Sequence, residues 1–216
     1  MTTDDHDVLG RAAADLEVAV RSAVGALTPL SAADWSVPAG ELSWDCWETI
    51  EHLADGLFAY ALQLGPVRPP LDHFVQLGWR RSRPDAPPLA ISVDREAGPA
   101  ALVEVVEAAG AVLTAMVRTA APTVRAFHAY GVSDPEGFAA MGVVEALVHT
   151  EDVVRGLGVE WAPPTGPCAR ALARLFPEVA VGADPWATLR WATGRADLPE
   201  QPGRRAFDRW HSAPLG

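Results

Sequence analysis

The stretch VVEALVHTEDVVRGLG, residues 143–158, decides how the rest of this sequence is interpreted. Its apolar residues recur at helical spacing, and Gly158 is typical of the position just beyond a helix C-terminus. Glu145 and His149 lie four residues apart and therefore project from the same side of this helix. Such side chains are seldom buried unless something pairs with them. The plainer interpretation is an exposed Glu–His pair, which is common on helix surfaces.

Working outward, three more segments have helical periodicity, and start signals precede two of the four helices. Asp45 and Glu48 have capping-box spacing, and Asp134 (or Ser133) stands before Pro135 at a first helical turn. The third helix is almost purely Ala, Val and Leu, so we expect it to be the central one. The predicted helices span residues 4–28, about 43–65, about 99–120 and about 135–157.

The connections between these segments are long, and that of residues 65–99 is too rich in proline to be helical. Residues 89–95 could form a short extended piece without an obvious partner. Two short helices are predicted after residue 160, followed by an irregular tail. The sequence therefore predicts an all-α fold, a four-helix bundle with long crossovers over residues 1–160. Residues 161–216 are expected to form a short helical extension packed on it.

Charge and hydropathy narrow the class of function. The formal net charge is −11 and the isoelectric point about 4.9, which disfavours binding to nucleic acid or to anionic membranes. We find no stretch near the unbroken apolar length of a membrane span. The acidic N-terminus lacks the features of a signal peptide, so we expect a cytoplasmic protein.

Residue usage adds two expectations. Cys46 and Cys168 are far apart and outside any CxxC spacing, which predicts two free thiols in a reducing compartment. The sequence contains no lysine, and all 17 basic side chains are arginine. Together with the abundant Ala, Gly and Pro, this is typical of a GC-rich coding sequence, and an actinobacterial source is our guess.

A second helix supplies a third candidate ligand. His52 lies in the middle of CWETIEHLADGLFAYALQL, residues 46–64, at the edge of the apolar stripe and beside Gly56. An isolated histidine of this kind is more often partly buried and bonded to a backbone carbonyl. Combined with Glu145 and His149, however, it makes a His₂Glu set. Such a set binds a divalent metal with a coordination position left open, as in catalytic zinc sites.

Two neighbours on the fourth helix complete the predicted site. Asp152, three residues after His149, could accept the proton of the second ring nitrogen of that histidine. Gly142, one turn before Glu145, is expected to leave open space beside the pair. Nitrogen and oxygen donors of this kind favour zinc, with nickel or iron possible.

The two helical motifs, residues 46–64 and FAAMGVVEALVHTEDVVRGLG (138–158), resemble the mycothiol-dependent maleylpyruvate isomerase N-terminal domain family. That family belongs to the DinB-like superfamily of metal-binding four-helix bundles, and the resemblance covers roughly residues 5–195. It implies an up-up-down-down bundle, mycothiol as cosubstrate, and a metal held by the residues that match the family motif, namely His52, Glu145 and His149.

The isomerase also has a sterol-carrier-like second domain that helps to complete its active site. Fewer than sixty residues follow residue 160, so we expect no such domain here. The expected function is therefore a metal-dependent thiol transferase or isomerase that acts on another small electrophile, the metal activating the thiolate. The alternatives are a bundle that binds metal or a small ligand without turnover, a metal-water enzyme without a thiol, and an interaction bundle with vestigial ligands. We expect a monomer or homodimer whose partners are small molecules.

Other residues are weaker candidates for a function. Arg80, Arg81 and Arg83 could bind an anionic group of the thiol or substrate, although a solvated charge cluster is the plainer interpretation.

His73 and His128 are expected to be solvated loop residues. Cys46 could lie near the metal or be a small buried hydrophobe. Four tryptophans flank loops and helix starts, where they could surround a pocket mouth or pack in the core: Trp35, Trp44, Trp47 and Trp79.

Overall fold

The computed structural model of the protein describes residues 3–198, with side chains from Asp7 onward. This part of the chain forms α-helices and no strand, which confirms the all-α prediction. The predicted tail after Leu198 lies outside the described residues. The helices are α1 (Thr3–Leu27), α2 (Cys46–Leu64), α3 (Gly98–Thr119), α4 (Pro135–Gly156), α5 (Thr165–Leu175) and α6 (Pro185–Ala192).

The helix ends follow from their capping residues. The Asp45 carboxylate accepts the backbone N–H of Glu48, whose own side chain accepts the N–H of Asp45, so the predicted capping box begins α2. The Asp134 carboxylate accepts the N–H of Gly137 and begins α4, with Pro135 in its first turn. Beyond the C-terminus of α4, Gly158 has φ +72°, a conformation that glycine adopts without strain.

The first four helices pack around a shared apolar core. Helix α1 packs against α3 and α4, and α2 packs against the same two helices. Helix α5 packs against α4 and α1, where Arg170 pairs with Asp15. Helix α6 packs in turn against α5. Helix α5 therefore covers a face of the bundle that the four long helices leave open.

Helix α4, not α3, is the central helix, so the expectation from the sequence is wrong on this point. Eighteen of the 22 residues of α4 are buried, against eight of the 22 in α3. Four other helices contact α4, and α5 covers the side that would otherwise face solvent. Helix α3 instead exposes alanines and Val112. Small apolar side chains cost little free energy when exposed, so an Ala-rich composition alone does not place a helix at the centre.

Gly142 does not provide open space, contrary to the sequence expectation. A Cβ atom at this position would lie 2.9 Å from Leu16 and 3.0 Å from Leu113. The missing side chain thus lets leucines of α1 and α3 approach the α4 backbone. Beside His52, by contrast, a Cβ atom on Gly56 would meet nothing within 4 Å.

The long connection between α2 and α3 lies along α2 because carboxylates of α2 bind it. Three acidic side chains, all buried, accept from it at successive turns of the helix. Their bonds are Glu48 with the Arg83 guanidinium, Asp55 with the backbone N–H groups of Ala90 and Ile91, and Glu51 with the N–H of Val93.

Residues 95–119 are long and apolar enough to cross a membrane by length and composition. No such stretch is predicted from the sequence. In the 18-residue window concerned, 44% of residues are buried inside the protein, and α3 packs against α1 and α2. The core helix of a bundle has the same composition, so this property carries little weight for a membrane location.

The two glycines give a matched pair of variants. Gly142→Ala should lower the free energy of unfolding by about 1–3 kcal/mol, because the new methyl group overlaps packed leucines. Gly56→Ala should leave it unchanged or raise it by up to about 1 kcal/mol, because alanine is the better helix former and the space is open. Urea unfolding followed by circular dichroism measures both. Equal effects at the two positions would contradict the packing described for Gly142.

Candidate metal centre

Helices α2 and α4 bring the three predicted ligands together. The Oε2 atom of Glu145 lies 3.0 Å from Nε2 of His149 and 3.8 Å from Nε2 of His52. The candidate ligand atoms of the three residues all lie within 4.8 Å of one another. Glu145 and His149 are one turn apart on α4, and the packing of α2 against α4 places His52 opposite them.

The chemistry of this group fits a divalent cation. The Oε2 atom of Glu145 is buried and has no hydrogen-bond partner among the described residues, because its short contact with His149 lacks hydrogen-bond geometry. Donors bound tetrahedrally at about 2.1 Å lie about 3.4 Å apart, close to the observed spacing. The His52 side chain is 29% exposed, so a small ligand can reach the group from solvent. The group could therefore hold a metal ion with one side accessible.

A second carboxylate orients His149. Its Nδ1 atom lies 3.2 Å from Oδ2 of Asp152, which is the hydrogen bond expected from the sequence. Asp152 is buried and also accepts two bonds from Arg195, at 2.9 Å from Nε and 2.8 Å from the terminal nitrogen. Arg195 follows α6, and its guanidinium also donates to the carbonyl of Thr193. Sequence reasoning did not find Arg195, because no local spacing links it to a residue 43 positions earlier.

The other oxygen of Glu145 is held by a residue that the sequence analysis also missed. The hydroxyl of Tyr60 donates to Oε1 of Glu145 at 3.3 Å. Tyr60 follows His52 by eight residues on α2, so its helical position is the signal that could have identified it. Glu145 is thus bound at one oxygen and faces two imidazoles with the other.

The two loop histidines, His73 and His128, differ in their exposure to solvent. His73 is exposed and pairs with Asp72, as a solvated residue does. His128 is only 6% exposed, so the expectation that it is solvated is wrong. The loop before α4 folds back through paired hydrogen bonds between Ala126 and Ser133. This fold packs the His128 ring against aromatic rings, 5.7 Å from Tyr60 between centroids.

An indole ring lies beside the ligand group. The Trp44 ring lies 4.9 Å from that of His52 and 6.5 Å from that of His149, between centroids. Its Nε1 donates to the backbone carbonyl of Asp85 at 2.9 Å. Trp44 therefore lies against the ligand group, whereas Trp35 is buried and donates to the carbonyl of Leu30.

Charges and burial set the protonation of the group. Burial would raise the pKa of Glu145, but the contact with His149 and the imidazole charges outweigh it and lower the pKa to about 2. Burial would lower the pKa of His149, but Asp152 and Glu145 outweigh it and raise the pKa to about 9. Burial dominates at His52 and lowers its pKa to about 4. At neutral pH Glu145 is thus an anion, His52 a neutral imidazole and His149 a protonated imidazolium in the metal-free protein.

The remaining candidates lie outside the ligand group. Arg83 binds the carboxylate of Glu48 and the carbonyl of Ser43, so its guanidinium is engaged on α2. Arg80 and Arg81 line a separate cavity, and the structure does not join the three arginines in one anion site. Cys46 is a buried free thiol whose pKa burial raises to about 12, as is Cys168. Neither is a candidate thiolate.

Comparison of the chain with protein-family models, curated protein sequences and solved structures finds no match. The family resemblance of residues 46–64 and 138–158 therefore stays a prediction. The description of the site rests on the geometry of its own residues.

Replacing Asp152 tests the support of His149. Asp152→Asn should weaken zinc affinity about 10- to 100-fold while the helical content stays unchanged, because His149 loses the carboxylate that orients its ring. Competition against a fluorescent zinc chelator measures the affinity. Asp15→Asn is the matched control, because it weakens a comparable Asp–Arg pair on α1 and should leave zinc affinity intact. Equal losses in the two variants would contradict the orienting role.

The buried His128 predicts a pH dependence of stability. Burial lowers the pKa of His128 to about 4, whereas an unfolded histidine titrates near 6.5. The unfolded chain therefore binds more protons between these values, and stability falls as the pH decreases from about 6.5 to 4. This histidine accounts for a loss of about 3 kcal/mol. In urea melts at several pH values, His128→Gln should lessen the fall and the exposed control His73→Gln should not. Parallel curves for all three proteins would contradict this.

Proposed function

We propose that the chain binds one divalent metal ion through His52, Glu145 and His149, with zinc the first candidate and nickel or iron the others. The observation that carries the proposal is the buried Oε2 atom of Glu145, which faces two imidazole nitrogens and has no hydrogen bond within residues 3–198. A divalent ion would replace the proton that His149 carries at neutral pH in the metal-free protein. Two neutral imidazoles with one carboxylate would then leave that ion with positive charge.

The surrounding residues fix the ligands in the required state. Asp152 accepts the Nδ1 proton of His149, so the proton on Nε2 is the one that a metal would displace. Arg195 holds the Asp152 carboxylate in this position. Tyr60 holds the outer oxygen of Glu145 and leaves Oε2 to the metal.

We propose that this centre activates a low-molecular-weight thiol. The thiolate would then be transferred to a small electrophile or would catalyse its isomerisation. A bound divalent cation lowers the pKa of a thiol or water that it ligates, and so supplies a nucleophile at neutral pH. The accessible side of His52 admits such a cosubstrate, and the Trp44 ring offers an apolar wall beside it. Neither cysteine of the chain can act instead, because both are buried with raised pKa values. Mycothiol is the first candidate thiol, on the resemblance alone.

The resemblance also guides the finer description of the fold. We propose the DinB-like up-up-down-down arrangement for α1 to α4. The packing of α1 and of α2 against both α3 and α4 supports it, because consecutive helices at such positions need long connections. The two connections that this arrangement requires to be long have 18 residues between α1 and α2 and 15 between α3 and α4.

Purified protein should carry about one divalent metal ion per chain. Elemental analysis of protein prepared without chelator measures this content. A thermal-shift screen of zinc-loaded protein should then show stabilisation by one of three thiols, namely mycothiol, glutathione or bacillithiol. If the protein binds metal but none of the thiols stabilises it, the result would favour a bundle that binds metal without turnover, or a metal-water enzyme without a thiol. Protein that stays free of metal after zinc addition would contradict the proposal.

Two α4 variants separate the centre from the core. His149→Ala should stay helical and soluble, because the apolar faces of the helices supply most of the stability, while it loses metal and any thiol-dependent activity. The free energy of unfolding should fall, since Glu145 and Asp152 lose a buried partner. Leu147→Ala, at a fully buried position, should lower the free energy of unfolding by about 2–5 kcal/mol and keep the metal. Circular dichroism melts and metal analysis of both variants provide the comparison. If His149→Ala unfolds the protein and Leu147→Ala does not, the metal is structural and the proposed activity fails.

A further inference from the structure

A cavity of about 720 Å³ lies beside α2, between that helix and the connection that runs along it. Trp47 and Glu51 line it from the helix. Three of its lining residues are arginines from the connection, Arg80, Arg81 and Arg95, whereas Glu51 is the single acidic residue in the lining. In a chain with a net charge of −11, this cavity has a local excess of positive charge.

The positive charge of this cavity is only partly compensated. Arg95 pairs with Asp45 at 2.9 Å, and Arg81 donates to the carbonyl of Ala86. Arg80 is held by its backbone, which exchanges two hydrogen bonds with that of Leu89. Its guanidinium is exposed, and residues 3–198 offer it no ion pair. Exposed guanidiniums beside one another repel, so an anion that enters the cavity relieves that repulsion.

The helix side of the cavity is suited to an organic ligand. Trp47 is 3% exposed, and the guanidinium of Arg95 lies 5.5 Å from the centre of its ring. The Nε1 donor of Trp47 is buried without an acceptor among the described residues. Glu51 is buried and accepts the N–H of Val93, so it is engaged with the connection. The cavity therefore combines an indole and guanidiniums.

We propose that this cavity is a binding site for a small organic anion, whose carboxylate or phosphate oxygens are bound by Arg80 and Arg81 beside Trp47. The planar guanidinium presents paired donors that match both kinds of oxyanion. This site is distinct from the metal centre and does not depend on the proposed function, because neither His52, Glu145 nor His149 lines the cavity.

The same connection also reaches the metal centre. Between Arg81 and Leu89 it contributes the carbonyl of Asp85, which holds Trp44 beside His52. An anion bound at Arg80 and Arg81 therefore sits on the segment that positions this indole. An anion bound in the cavity would stabilise the connection and therefore the position of Trp44 beside His52.

Isothermal titration of zinc-loaded full-length protein with succinate, and separately with inorganic phosphate, tests this site. At least one probe should bind saturably, and the stronger one identifies the class of oxyanion. Arg80→Gln and Arg81→Gln should each weaken that binding about tenfold or more, because a charged donor is lost. Arg68→Gln, an exposed arginine of the same connection that does not line the cavity, should have no effect.

His149→Ala separates this site from the metal centre. The proposal requires that the variant retain the binding, whether or not the metal centre has the proposed activity. Binding lost in His149→Ala but retained in Arg80→Gln would place the anion on the metal and overturn the site. Equal weakening by Arg80→Gln and Arg68→Gln, or no binding of either probe at millimolar concentration, would overturn it as well.

Discussion

A carboxylate placed inside an apolar helix must have its charge compensated, and Glu145 meets this requirement with two imidazoles from two helices. An unpaired buried charge costs several kcal/mol, which is comparable to the whole stability of a domain. The pairing with His149 is local to α4, but the pairing with His52 needs α2 and α4 in one register. The site and the packing of the bundle are therefore linked, since a shift of either helix would separate the donors.

The constraint extends outward through a chain of hydrogen bonds and close contacts. Tyr60 binds one oxygen of Glu145, His149 faces the other, and Asp152 binds the far side of the His149 ring. Arg195 then binds Asp152. This chain joins α2, α4 and the segment after α6, so the C-terminal extension supports the site as well as covering α4. If one member is removed, its partner stays buried without a hydrogen bond. The full desolvation free energy of that partner then destabilises the fold.

Sequence patterns were sufficient for the helices and for the pairing of Glu145 with His149, because both depend on local spacing. The capping box at Asp45 and the i, i+4 pair of Glu145 and His149 are properties of one turn of helix. What could not be predicted depends on contacts between distant segments. Burial of α4 results partly from α5, and burial of His128 from a loop that folds back on α2 and α4. The Arg195 contact with Asp152 has no local signature at all.

Gly142 illustrates the same limit. A glycine in a helix leaves a gap only if nothing else fills it, and here leucines of α1 and α3 do. Gly56, on α2, has nothing within reach. A glycine thus permits close packing in α4 but leaves open space in α2. Only the tertiary packing distinguishes the two positions. The arginines of the long connection differ likewise, since Arg83 binds α2 while Arg80 and Arg81 face a cavity.

The most direct test of the central claim is X-ray absorption spectroscopy at the zinc edge on the zinc-loaded protein. The account predicts a first shell of nitrogen and oxygen donors at about 2.0–2.1 Å, with outer scattering from two imidazoles and no sulfur at about 2.3 Å. His52→Ala should remove one imidazole contribution. A shell that contains sulfur, or one unchanged in His52→Ala, would show that the metal is held elsewhere and would contradict the assignment of His52, Glu145 and His149.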